Sequence, residues 1–386
     1  MTLDLRIPAI LKVGGGALQQ TAAVISGLGC RHPLVVTDAV IAAQPFFQTL
    51  LASLQSRAIS YAVFSETVAD PTVAVVEAGL AAWHNGNHDS LIAVGGGSPM
   101  DTAKAIGVLA GNGGNLQDYK VPHPIPCPLP PLIAIPTTAG TGSEVSRFTV
   151  ITDPATNEKM LIAGAALVPA AAIVDYQLTL TMPLRLTADT GTDALTHCIE
   201  ACVSRRANPF SDAFAFAAMR AIWKWLPVAC MQPANATARE NMMLAATQAG
   251  LAFSNASVAL VHGMSRPIGA MFHVAHGLSN AMLLPAVTAF SVRSAPARYA
   301  ACARAMQVAQ PGDADGSASQ TLVAALYERN RELQVPSPRE YGIAERDYMQ
   351  AIPQMAEQAL ASGSPQNNPR VPTAEEIAAL YREVWN

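Results

Sequence analysis

The sequence predicts an α/β amino-terminal domain over residues 1–182 followed by an all-α carboxyl-terminal domain over residues 183–386. Three observations carry that expectation. Short apolar runs alternate with helical patterns through the first half, long Ala/Met/Leu-rich stretches replace them beyond about residue 183, and TMP at 181–183 stands where the texture changes. Alternation of strand-like runs with helical stretches marks a mostly parallel sheet with covering helices.

In order, LVVTD (34–38), YAVFS (61–65), LIAVGGG (91–97), LIAIPTT (132–138) and AAIVD (171–175) read as strands. Between them, 71–86 and 99–111 have helical spacing; both close at Gly, and the second opens with Pro in its first turn. The stretches 187–204, 211–230, 236–252 and 278–290 carry few β-branched runs and read as helices. PGDADGSAS (311–319) and SGSPQNNPRVP (362–372) read as surface loops, and no internal repeat is found.

A chain of 386 residues exceeds the usual single core, which favours two domains. Hydrophobic residues make up 51% and charged residues 13%, against roughly 25% charge in ordinary soluble proteins, so a buried subunit interface is expected. A net charge of −4 without a Lys/Arg block argues against a nucleic acid partner, because polyanions are held by clustered cations. The start MTLDLRIPAILKVGGG lacks the basic and apolar order of a secretory signal, which points to a cytoplasmic location. Apolar stretches such as 161–174 are shorter than the about 20 residues a spanning helix needs, so no membrane association is expected. Cys30, Cys127, Cys198, Cys202, Cys230 and Cys302 show no CxxC pair and read as reduced, mostly buried thiols.

Two loops carry a phosphate-binding character. Gly95-Gly96-Gly97-Ser98-Pro99-Met100-Asp101 lies where a strand meets a helix; glycine lets the backbone approach a pyrophosphate, and the helix start supplies free N–H groups and a favourable dipole. A tight turn with Asp101 favouring the helix dipole is the bland alternative. The run is not GxGxxG, and no acidic residue stands about 20 positions on. Pro136 to Glu144 follows the next strand and offers hydroxyls suited to ribose and phosphate oxygens, or to capping. Together the loops point to a nucleotide crevice at strand carboxyl ends.

The second half carries metal-binding character. Asp193 and His197 are four apart in a helical context and share a face, while His262 and His276 flank HGMSRPIGAMFHVAHG, in which the glycines and Pro267 suggest a helix ending and a loop returning. Three imidazoles and a carboxylate form a borderline N/O set suited to Fe, Zn, Mn or Co. His273 reads as a ligand, a proton relay or a rim residue, with relay or rim favoured; His32, His84, His88 and His123 sit among turn residues and read as solvent-facing. Cys198 and Cys202 occupy another stripe and read as core.

GGGSPMDTAK, IPTTAGTGSEVS, AIVDYQLTLTMP followed by TGTDALTHCIEA, and VHGMSRPIGAMFHVAHG resemble, in order along nearly the whole chain, the iron-containing (group III) alcohol dehydrogenases. The resemblance implies a dehydroquinate synthase-like architecture, with a dinucleotide-binding amino-terminal domain, a helical metal-binding carboxyl-terminal domain and a homodimer. It implies hydride transfer between NAD and a small alcohol or aldehyde, with Fe2+ (or Zn2+, Mn2+ or Co2+) as the ion. Asp193, His197, His262 and His276 fall on the family's metal-ligand positions. Gly96, Gly97, Ser98 and Asp101 fall on its pyrophosphate loop, and Thr137, Thr138, Thr141 and Ser143 on its second cofactor loop. Lys159 and Leu178 are similar to residues at the ribose and nicotinamide end. Asp38 is similar to a residue facing the adenosine ribose, where a carboxylate accepts from the 2′-OH and repels a 2′-phosphate, favouring NAD over NADP.

Where many members have HxxxH after the ligand equivalent to His262, this chain has Arg266, which stays protonated and cannot serve as a base. Arg266 could instead hold a substrate carboxylate, making a hydroxyacid dehydrogenase the first alternative, or form a structural pair. A dehydroquinate synthase-like lyase is a second alternative, disfavoured because residues 240–280 supply only Arg266 for a phosphorylated substrate. Phe148 and Phe253 are expected to line an apolar pocket or simply to pack.

Overall fold

The computed structural model describes residues 2–386 and resolves two compact units: one runs up to Met182 and takes in Ala234–Gly250, and the other comprises Pro183–Pro233 and Leu251–Asn386. In the first unit the strands are β1 (Ile10–Val13), β2 (Pro33–Val36), β3 (Ala62–Phe64), β4 (Ser90–Gly95), β5 (Leu132–Pro136), β6 (Phe148–Asp153), β7 (Glu158–Ala163) and β8 (Ala171–Val174). Six of these form a parallel sheet in the order β1-β8-β5-β4-β2-β3, and β6 and β7 pair as an antiparallel hairpin. Helices α1 (Thr21–Gly27), α2 (Ala39–Ala42), α3 (Pro45–Gln55), α4 (Val73–His84) and α5 (Gly97–Asn112) alternate with the strands.

Both faces of this sheet are covered, which is why its central strands are continuously apolar rather than alternating. Leu34, Leu91, Ala93 and Leu132 pack with Val76, Ala103 and Ile106 on one side. Val35, Ile92, Val94, Ile133 and Ile173 pack with Ile25, Phe47 and Leu50 on the other. Successive residues of one strand therefore serve opposite cores. The sequence reading missed β1 because its residues alternate in exposure and include Lys12, and it missed the hairpin, whose first strand β6 also alternates in burial.

The later helices are α6 (Leu184–Val203), α7 (Pro209–Met231), α8 (Ala236–Asn255), α9 (Leu260–Phe272), α10 (His276–Ser291), α11 (Pro296–Ala305), α12 (Asp315–Glu332), α13 (Glu345–Ala361) and α14 (Ala374–Glu383). Within the second unit α6 packs against α7, α10 and α11, and α9 packs against α10 and α13. Every residue from Thr187 to Val203 is buried, an unusual fate for so polar a helix. Two of its threonines are satisfied within the helix: Thr190 Oγ1 donates to the Leu186 carbonyl and Thr196 Oγ1 to the Thr192 carbonyl, each at 2.8 Å.

Three sequence expectations change. The expected loop 311–319 becomes helix from Asp315, where Arg304 holds the Asp313 carbonyl and the Asp315 carboxylate and fixes the helix entry. Pro267 does not end its helix; α9 continues to Phe272 and stops at His273, whose φ of 55° breaks the right-handed run. Against the expectation that the apolar stretches are too short to span, the 23-residue α7 is long and apolar enough to cross a bilayer by length and composition. It nevertheless packs against α6, and its Asp212 forms an ion pair with Arg298 at 2.5 Å.

Candidate functional site

The first group of side chains gathers at the carboxyl ends of β4 and β5. Gly95 pairs with Pro136 in parallel register, and Thr137 N donates to the Gly95 carbonyl, so the two loops leave the sheet side by side. Gly95 has φ +148°, and a Cβ there would lie 2.5 Å from the Pro99 ring, so glycine alone fits. A Cβ on Gly96 would meet Thr138 at 3.2 Å, and one on Gly97 would meet Thr141 at 3.2 Å. Gly96 caps α5 without a side-chain hydrogen bond, leaving the first-turn amides free of any side-chain acceptor. The buried Thr138 Oγ1 likewise has no protein partner among the described residues. Bare helix amides beside an orphan hydroxyl are what an anionic phosphate would satisfy.

Asp101 and Ser143 are engaged by the protein itself. Ser143 Oγ donates to Asp101 Oδ1 at 3.2 Å, and Val150 N donates to Asp101 Oδ2 at 3.2 Å. Lys104 donates to the carbonyls of Ser143, Ser146 and Phe148 at 2.7, 2.9 and 2.9 Å. Burial pushes the Asp101 carboxyl up to about 6, with Lys104 only partly opposing it, and burial brings Lys104 down to about 8. Asp38 follows β2 and caps α2, accepting from Ile41 N at 2.9 Å. Lys159 is buried on β7 and pairs with Asp70 at 2.6 Å; Leu178 is buried just after β8.

In the second unit, Asp193, His262 and His276 offer donor atoms that all lie within 4.8 Å of one another. Asp193 Oδ1 is 3.5 Å from His262 Nε2, 3.8 Å from His276 Nε2 and 3.9 Å from His197 Nε2. The His197 ring stacks between those of His262 and Phe253, at centroid distances of 4.5 and 4.2 Å. Three helices are needed: α6 supplies Asp193 and His197 one turn apart, α9 supplies His262 and α10 supplies His276. Burial alone would raise the Asp193 pKa, but the imidazoles of His197, His276 and His262 hold it well below the usual carboxylate range. A buried, ionised carboxylate ringed by imidazole nitrogens fits a divalent ion with borderline N/O preference.

Three residues that sequence reasoning missed shape this cluster. Glu200, buried on α6, accepts from His262 Nδ1 at 2.6 Å and from the backbone amides of Ala259 and Val261 at 2.8 and 2.6 Å. One carboxylate thus caps the start of α9 and turns His262 Nε2 toward Asp193. Burial lowers the His262 pKa, yet Glu200 and Asp193 outweigh it and the net direction is upward. Gly277 lets α10 approach α6, since a Cβ there would lie 2.5 Å from the Asp189 carbonyl oxygen. Asn280, fully buried on α10, donates from Nδ2 to Asp193 Oδ1 at 2.7 Å.

Spacing could have revealed two of them. Glu200 continues the Asp193–His197 stripe at the seventh position, and Asn280 follows His276 by one helical turn. Arg266 is buried and donates from Nη1 to Ser364 Oγ at 2.9 Å; burial brings its pKa down to about 10, partly offset by Glu200. His273 is exposed at the end of α9, outside the group of close donors. Cys198 and Cys202 are buried as free thiols, as are all the other cysteines except the exposed Cys127.

Glycine-lined strand ends and a helical unit that buries a carboxylate among imidazoles are the parts of a metal-dependent, dinucleotide-dependent oxidoreductase. Residues 8–176 match the iron-containing alcohol dehydrogenase model, and residues 187–385 match the carboxyl-terminal model of the Fe-containing alcohol dehydrogenase family. The chain is 36% identical over 377 residues to the NAD-dependent methanol dehydrogenase of Bacillus methanolicus, covering 97% of this chain and 98% of that one. It is 36% identical over 385 residues to the 1,3-propanediol dehydrogenase of Klebsiella pneumoniae, covering 99% and 98%. An alcohol dehydrogenase structure from Oenococcus oeni aligns with a TM-score of 0.94 at 31% identity, covering 100% of both chains. The chain belongs to the iron-containing alcohol dehydrogenase family.

Proposed function

We propose that this chain is an NAD-dependent, divalent-metal-dependent alcohol dehydrogenase that interconverts small primary alcohols or diols and aldehydes by hydride transfer. Residues 1–182 bind the dinucleotide and residues 183–386 hold the ion, in a cytoplasmic homodimer. The carrying observation is the buried Asp193 carboxylate faced by the Nε2 atoms of His197, His262 and His276. The names of the relatives, methanol and 1,3-propanediol dehydrogenases, agree with that choice of substrate.

Asp193, His197, His262 and His276 would hold Fe2+, or Zn2+, Mn2+ or Co2+. When bound, the ion supplies Lewis-acid stabilisation of the negative charge that develops on an alcohol oxygen. Glu200 fixes the His262 tautomer by accepting from Nδ1, which keeps Nε2 available as a donor atom. The free amides of the α5 start, with Ser98, Thr137, Thr138 and Thr141, bind the dinucleotide phosphates and ribose, and Lys159 and Leu178 serve its nicotinamide end. Asp38 accepts from an adenosine ribose hydroxyl and disfavours a 2′-phosphate, giving NAD over NADP. Arg266 stays protonated and gives charge balance opposite Glu200. Exposed His273 relays the alcohol proton to solvent.

His262→Ala tests the reading. The variant is expected to lose bound metal and measurable turnover while NAD still binds, as read by elemental analysis, NADH absorbance and calorimetry. Full activity of that variant in metal-free buffer would overturn it. Comparing butanol, 1,2-propanediol, glycerol and 4-hydroxybutyrate, each with NAD and NADP, separates alcohol from hydroxyacid chemistry.

A further inference from the structure

We propose that Lys104 and Thr247 are positioning residues for the dinucleotide: from α5 and α8 they anchor the loop that follows β5, whose hydroxyls meet the cofactor beyond its adenosine phosphate. This rests on the reading that the first unit binds a dinucleotide at its strand ends. Lys104 is fully buried, and its Nζ donates to the carbonyls of Ser143, Ser146 and Phe148 at 2.7, 2.9 and 2.9 Å. An ammonium has three hydrogens, so three carbonyls of one short segment saturate it. A buried ammonium is tolerated only where such acceptors replace its water, so the segment cannot leave Lys104 without stranding a charge. From α8, Thr247 Oγ1 donates to Oε1 of the buried Glu144 at 2.8 Å. A Cβ on Gly250 would lie 2.7 Å from the Gly142 carbonyl oxygen, so α8 rests directly on the main chain of the same turn.

The anchors reach the loop hydroxyls within a few residues. Ser143 N donates to Thr141 Oγ1 at 3.4 Å, and a Cβ on Gly97 would meet the Thr141 side chain at 3.2 Å. Thr141 is thus held between the anchored Ser143 and the front of α5. Lys104 itself lies about two turns along α5 from the bare first-turn amides, so it acts on a ligand through the loop. The sheet order decides which part of the ligand depends on this. Strands stand in the order β5-β4-β2, so the anchored loop after β5, the α5 start after β4 and Asp38 after β2 form a row. Its ends are about 10 Å apart. Adenosine monophosphate spans the Asp38 and α5 positions alone; the remainder of the dinucleotide needs the anchored loop.

Fluorescence titration of the full chain with NADH, and displacement of that NADH by adenosine monophosphate, test the assignment without any metal-dependent step; circular dichroism verifies folding. Lys104→Met is expected to weaken NADH about tenfold or more while adenosine monophosphate stays within about threefold of wild type, because the loop is no longer preorganised. Thr247→Val removes the α8 anchor alone and is expected to weaken NADH about threefold with adenosine monophosphate unchanged. Ile106→Ala opens the core on the same helix and is expected to leave both ligands within about twofold of wild type. The assignment is overturned if either anchor variant binds NADH as wild type does, if both ligands weaken together, or if Ile106→Ala reproduces the selective loss. Thr247→Val decides the matter should Lys104→Met fail to fold. Absence of NADH binding by the wild-type chain would instead overturn the underlying dinucleotide reading, and this assignment with it.

Discussion

Asp101 in the first unit and Asp193 in the second are both hemmed in by protein, yet their carboxyls shift in opposite directions. Burial wins at Asp101, whose carboxyl rises to about 6 because Lys104 opposes it only in part. At Asp193 burial loses to three facing imidazoles, and the carboxyl stays ionised far below its usual range. The contrast teaches that burial does not settle a carboxylate's charge; the number and closeness of its positive neighbours do. It also separates two ways of building a binding site. At the strand ends the binding surface is main chain, left bare by glycines and an uncapped helix. Around Asp193 it is side chain, and His262 there is aimed by a second residue, Glu200.

The sharpest way to break the comparison is to remove the cation from the first unit. Lys104→Met is expected to cost about 3–5 kcal/mol, read from urea unfolding at neutral pH, because Asp101 and Glu144 then lose their buried counter-charge. The sign with pH follows from the raised carboxyl. Its folded value of about 6 exceeds 3.8, so the native state holds a proton that the unfolded chain has released. The Asp101 contribution is thus complete below about pH 4 and is lost as pH rises through about 6. Asp101→Asn should flatten that part of the stability profile, and an unchanged slope would show that Asp101 is not its source.

On the other side, Glu200→Gln is expected to weaken metal binding about 10–100-fold while NAD affinity holds, measured by chelator competition and calorimetry. An unchanged metal affinity would mean that His262 is aimed by packing alone. The smallest effect belongs to His273→Gly. Glycine suits its φ of 55°, so the variant should keep its metal and its thermal midpoint, with kcat reduced less than tenfold. A complete loss of turnover would place His273 in contact with the reacting atoms rather than on the route to solvent.

How much was legible in advance follows the same division. The strand-end loops are contiguous in sequence, and the apolar runs of β4 and β5 read directly because both sheet faces are covered. The fold class was legible for that reason, and the family match agrees with it. Asp193 and His197 share a helix face and could be paired from spacing, but their meeting with His262 and His276 depends on how α9 and α10 pack. Nothing local announces that Gly277 must let one helix pass the Asp189 carbonyl, since glycine near a helix start has many uses. The loop expected at 311–319 failed because composition cannot show that Arg304 will tie down Asp315. Lys104 was passed over because a lysine on a helical pattern ordinarily lies in solvent, whereas this one is buried under three carbonyls.

Glu200 has one more consequence. Because its carboxylate grips both the Ala259 and Val261 amides and the His262 ring, fraying at the front of α9 and release of that imidazole are a single event. Deuterium uptake at those two amides should therefore slow when a cation is taken up and quicken when it is stripped, making two backbone protons a gauge of occupancy.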